Sequence, residues 1–106
     1  MNLKKIQRQL EQAQQELTAR LEKIAADIEK GRSRDWEEQA QERENDEVLE
    51  GLSVEASAQL QRVNQALAKI ENNRFGYCDR CQQAITPARL EALPTAEYCL
   101  DCVDQT

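Results

Sequence analysis

Histidine is absent from this 106-residue chain, and that absence closes several routes at once. It excludes Ser-His-Asp and Cys-His catalysis, removes the commonest general base, and rules out every zinc site that uses imidazole. Glycine and proline are scarce, three and two residues, so few positions force a regular element to break. Aromatic residues make up only 4% and charged residues 32%, a mixture suited to surface-rich helices rather than a sandwich or barrel. No apolar run approaches the roughly 20 residues of a membrane span, and charges stand at the amino terminus where a signal peptide needs its apolar stretch. The expected location is the cytoplasm, with no membrane partner. Positive charge is in deficit as well, with 14 Lys and Arg against 20 Asp and Glu and a net charge of −6. Direct DNA binding is therefore not expected, because nucleic-acid affinity comes from lysines and arginines displacing counterions.

What is present is helical periodicity. Leu3, Ile6, Leu10, Ala13, Leu17, Leu21, Ile24 and Ile28 recur in steps of three and four, one apolar stripe on a helix that is expected to end at Gly31. A second stripe, Leu49, Leu52, Ala56, Leu60, Val63, Leu67 and Ile70, lies in a proline-free stretch from about Glu37 to Asn73. Two one-faced helices joined by a short break bury their stripes most cheaply by folding back on each other. The alternative is a parallel coiled coil between two chains. The expected fold is mostly α: a long antiparallel coiled-coil hairpin over residues 1–73 with its tip at about 31–40, then a small module over 74–106.

That module carries the four cysteines, Cys78, Cys81, Cys99 and Cys102. Two Cys-x2-Cys pairs 17 residues apart have the spacing of a four-thiolate zinc site, in which each tight turn aims two sulfurs at one ion. A redox pair of the thioredoxin type would start a helix within a βαβ pattern, and none surrounds these cysteines. With all four ligands supplied by protein thiolates, one structural zinc is expected and no enzyme activity follows from it. Between the pairs, Thr86-Pro87 reads as a helix cap with proline at the first helical position, and Pro94 as the stop.

Between Asp35 and Glu50 stand eight acidic residues and only Arg43 as a base. By itself this is a solvated helix start with a favourable macrodipole, Asp35 and Glu38 forming a capping pair. Together with Phe75-Gly76-Tyr77-Cys78-x2-Cys81 and Arg89-Leu90-Glu91-Ala92-x-Pro94-Thr95-Ala96-x2-Cys99-x2-Cys102, however, the pieces resemble the DksA/TraR family. The resemblance covers about Asp35 to Cys102. It implies a regulator of bacterial transcription that binds RNA polymerase without touching DNA, inserting the hairpin tip into the secondary channel. The family's Asp-x2-Asp-x-Ala tip corresponds here to Asp35, Glu38 and Ala40, with glutamate replacing the second aspartate. Trp36 beside them is an aromatic anchor for the polymerase or for the hairpin itself.

The resemblance also implies a site for guanosine tetraphosphate between the polymerase and basic side chains. Of those positions only Arg62 keeps its charge, while Leu93 and Val103 cannot pair with phosphate. The chain ends at Thr106, without the longer C-terminal helix that many members use against the polymerase rim, and the resemblance therefore implies a polymerase affinity that is either lower or compensated elsewhere. A zinc-ribbon nucleic-acid binder, or another protein-interaction module, is the alternative function. The first would need a basic stripe, and residues 74–106 hold three arginines against five acids. A thiol oxidoreductase is the enzymatic alternative, distinguished by whether zinc is tightly held.

Overall fold

A computed structural model describes the backbone of residues 2–31 and 39–103, and side chains over 2–30 and 47–103. Four helices follow in order: α1 (Leu3–Gly31), α2 (Gln39–Glu71), α3 (Pro87–Ala92) and α4 (Leu100–Val103). Contacts divide the chain into two compact units, one of Met1–Ala13 with Arg62–Thr106 and one of Gln14–Gln61. The start of α1 thus groups with the end of α2, and the end of α1 with the start of α2. That pairing is antiparallel, as a hairpin requires.

The apolar stripes form its seam. In the first unit Ile6, Leu10, Val63 and Ala66 are buried; in the second, Leu17, Ile24 and Ala56. Leu3 and Leu52, although in register with the stripes, remain exposed. Ala66 was not part of the sequence stripe, and its burial broadens the apolar face of α2 by one flanking row.

Helix ends are defined by local chemistry. Asn2 caps α1, its side-chain oxygen accepting from the Lys5 N–H at 3.1 Å. The far end of α2 closes two residues before the expected Asn73. Arg74 N–H donates to the Lys69 carbonyl at 2.8 Å and Asn73 N–H to that of Ile70 at 3.2 Å, while Asn73 takes a left-handed φ of 58°. This is a Schellman closure with asparagine where glycine is usual. α3 begins as expected, Thr86 accepting from Arg89 N–H and Pro87 opening the first turn. Leu93, restricted by the proline after it, leaves helical geometry at its C-cap. The short α4 over the second cysteine pair had no periodic signal and was not anticipated.

Gly51 lies inside α2 with no neighbouring atom within 4 Å of where a Cβ would stand. Alanine costs nothing sterically there and loses less backbone entropy on folding. Gly51→Ala is therefore expected to stabilise the zinc-loaded protein by about 1 kcal/mol, read as a higher denaturation midpoint in urea.

Candidate metal centre

The first cysteine pair is shaped by a turn that few sequences can make. Gly76 adopts a φ of 94°, a conformation that side chains resist, and its carbonyl accepts from Ile85 N–H at 2.7 Å. Tyr77 and Ala84 form an isolated antiparallel bridge. Inside this small hairpin, Cys78 N–H donates to Gln83 and Gln82 N–H back to Cys78, both at 2.8 Å. Gln82 pays for the tight return with a left-handed φ of 62°. Cys78 and Cys81 consequently face the same side of the turn.

Two carbonyls bring the second pair to meet them. Glu97 accepts from Asp79 N–H at 2.8 Å, and Tyr98 accepts from the Arg89 guanidinium at 2.9 Å. The residues immediately before Cys99 are thereby held by the first knuckle and by α3. From Cys99 the chain turns into α4, with Cys102 and Val103 N–H groups both bonded to the Cys99 carbonyl. Beneath the cysteines a small core of Cys78, Ile85, Leu90 and Cys102 is buried, with Phe75, Ala96, Tyr98 and Cys99 packed against it.

The four sulfurs lie within 4.8 Å of one another. A zinc–sulfur bond of about 2.3 Å in a tetrahedron sets a sulfur–sulfur edge of about 3.8 Å. Cys81 and Cys99 stand 3.7 Å apart, the spacing of that edge and far beyond a disulfide bond. The thiols resist sharing negative charge among themselves. At Cys78 burial works against ionisation, but N–H groups of Cys81, Cys99 and Arg80 directed at the sulfur outweigh it and hold its pKa down to about 6. Hydrogen bonding with Cys99, then burial and the Cys78 thiolate, pushes Cys102 up to about 12. One thiolate thus opposes the next. A divalent cation at the centre reverses the balance and allows all four to ionise. The donor set and geometry fit one structural zinc, with no ligand position left for water.

The metal module is also tied to the end of α2. Lys69 donates to both carboxylate oxygens of Asp79, at 2.9 and 3.0 Å, one residue beyond the first ligand. This pair and the Arg89–Tyr98 contact escaped the sequence reading, since neither the ten-residue separation nor the single arginine carries a periodic signal. Arg62 stands on α2 beside a shallow depression shared with Lys69, Phe75, Tyr77 and Pro94. Leu93 is exposed. Asp35, Trp36 and Glu38 lie outside the described residues; Ala40 falls in the first turn of α2, its side chain likewise outside them.

A four-cysteine zinc finger attached to an antiparallel helical hairpin is the class of protein that this geometry defines. Residues 3–70 match the DnaK suppressor protein-like N-terminal domain, and residues 73–103 the prokaryotic dksA/traR C4-type zinc finger. The chain belongs to the DksA/TraR family. An uncharacterized protein of Aquifex aeolicus is 39% identical over 72 residues, 68% of this chain and 50% of that one. The RNA polymerase-binding transcription factor DksA of Haemophilus influenzae is 44% identical over 43 residues, 41% of this chain and 30% of that protein. The matches thus span half or less of these curated relatives. Among solved structures, the DnaK suppressor protein of Agrobacterium tumefaciens is 39% identical with a TM-score of 0.69, covering 100% of this chain and 95% of that one. DksA2 of Pseudomonas aeruginosa shares the fold at a TM-score of 0.85 and 23% identity, covering 94% and 78%.

Cys78→Ser is expected to lose most of the zinc, since the replacement removes one of four thiolate ligands and opens the tetrahedral shell to water. Metal analysis of the purified variant checks this; stoichiometric zinc would refute the assignment. In the parent, zinc should be released as pH falls, because protons compete for the same sulfurs.

Proposed function

We propose that this chain binds bacterial RNA polymerase in the cytoplasm and regulates transcription, inserting its acidic hairpin tip into the secondary channel. The observation that carries the reading is family membership through two adjoining matches, hairpin and zinc finger, in the order that a DksA/TraR protein requires. Relatives that match over 43 residues of this chain bear the name RNA polymerase-binding transcription factor. In this reading residues 1–73 form the hairpin and residues 74–106 the zinc-finger module.

The hairpin acts as a probe. Its tip, about residues 31–40, carries Asp35, Trp36, Glu38 and Ala40 to the polymerase. Asp35 and Glu38 present carboxylates near the active centre, Glu38 reaching one methylene further than aspartate would. The concentration of acid between Asp35 and Glu50, net −7, suits a partner with basic surfaces and opposes direct contact with DNA. No catalytic step is assigned to the chain. A nucleic-acid-binding zinc ribbon is disfavoured by the arginine deficit of residues 74–106.

Asp35→Asn is expected to reduce the effect on transcription while leaving polymerase affinity and folding nearly intact, the substitution removing one negative charge at almost unchanged side-chain size. In vitro transcription paired with a binding assay separates the two; full activity in the variant removes Asp35 from the mechanism. Guanosine tetraphosphate should add little to the effect, because Leu93 and Val103 provide no charge-assisted hydrogen bonds and Arg62 alone is a weak clamp. Transcription from a sensitive promoter, with the polymerase's other nucleotide site disabled, measures this. A strong enhancement there would show that other residues build the site.

A further inference from the structure

The four ligands of the metal centre are unequally covered. Cys78 and Cys102 are buried, at 1% and 8% exposure, whereas Cys81 is exposed and Cys99 half-buried. Cys81 and Cys99 are also the pair whose sulfurs stand 3.7 Å apart, so the open side of the centre is one edge of the tetrahedron. That edge borders an open depression of about 460 Å³, lined as well by Ala84, Leu100 and Asp101. Leu100 is 61% exposed. A second cavity, between Lys69, Asn72, Arg74 and Tyr77, meets the ligand set at Cys78 alone. There the sulfur is closed to solvent and accepts from the Arg80 N–H at 3.4 Å.

A closed shell of four thiolates has no vacant position, so an incoming ligand binds as one of the four departs. The sulfur that departs first is the one with open space in front of it, which is Cys81. A small thiol suits the exchange, because its sulfur is the same soft donor as the one it replaces. The bond from zinc to the Cys81 sulfur breaks as a bond to the entering sulfur forms. The entering thiol gives up its proton, Cys81 takes one up, and no oxidant or reductant is needed.

Charge selects among thiols. Four thiolates exceed the charge of a divalent cation, Asp101 adds a carboxylate at the rim, and no lysine or arginine lines the depression. An anionic thiol is repelled there. The geometry points to the Cys81–Cys99 edge as a zinc-exchange face that admits small thiols without net negative charge, with Cys81 the first ligand to leave and Leu100 setting the width of the entrance. The inference rests on the zinc assignment and is independent of the polymerase reading.

The test mixes the full, zinc-loaded chain with excess EDTA and rising cysteamine, and follows the zinc that stays on the protein. The rate of loss should rise linearly with cysteamine; its slope measures entry of the thiol and its intercept the loss without thiol. Leu100→Trp is expected to lower the slope about threefold or more by closing access and Leu100→Ala to raise it, with little change in either intercept. Glutathione, compared at equal thiolate concentration and low salt, should give a slope about tenfold smaller, the gap narrowing as salt screens the charge. Iodoacetamide applied to the loaded parent should label Cys81 ahead of Cys78 and Cys102, as read by peptide mass spectrometry. A slope indifferent to both Leu100 variants, or Cys78 labelled first, overturns the exchange face while leaving the zinc assignment standing. Glutathione as effective as cysteamine overturns the selection by charge. A purified parent without zinc overturns the face and the metal centre together.

Discussion

Convergence of four thiolates on one cation is the interaction from which the C-terminal third of this protein takes its shape. Among the described residues, the module's fully buried core contains Ile85 and Leu90 as its only residues that are not zinc ligands. Burying each contributes about 1.5–3 kcal/mol, against a structural zinc worth on the order of 10 kcal/mol. The hydrophobic contribution cannot order some thirty residues by itself. Metal binding therefore decides whether the left-handed turns at Gly76 and Gln82 persist, and with them the backbone donors that surround Cys78.

Electrostatics in the module serve that centre by direction more than by strength. The Lys69–Asp79 pair is partly exposed, at 27% and 45% of its side chains, and such pairs contribute at most about 1 kcal/mol. Its value is geometric. Asp79 follows a ligand and has its own N–H fixed on Glu97, so the lysine gives that knuckle one orientation against the end of α2. Arg89 does the same for the segment before Cys99 through the Tyr98 carbonyl. Two cations otherwise free on the surface thus fix the backbone on both sides of the metal.

The hairpin follows another logic. Its seam is a repeat of leucine, isoleucine, valine and alanine, permissive of many sequences, and its specificity resides in what the outer faces carry. Acid is gathered into residues 35–50, while α1 is mixed in sign. Gly51 and the exposed valines around it depart from the pattern that helix stability alone would select.

Periodicity and spacing were enough to read two helices, their antiparallel pairing and the set of zinc ligands from the sequence. A stripe in threes and fours has one geometric meaning, and two Cys-x2-Cys pairs without histidine leave one coordination shell. The Thr86-Pro87 start of α3 was legible for the same reason, being encoded by adjacent residues. What the tertiary structure alone decided are features made by residues distant in sequence. Ala66 is buried, although it lies outside the stripe, at the place where α2 runs beside Phe75 and Pro94 of the zinc module. Leu52 is exposed, although it lies within the stripe, in an open groove that it shares with Ile24, Leu49 and Ala56. Asn73 ends α2 in a conformation most often given to glycine, and Lys69 and Arg89 find partners ten and nine residues away. Local composition carries no signal for such pairings, since they depend on where the folded backbone places each donor and acceptor.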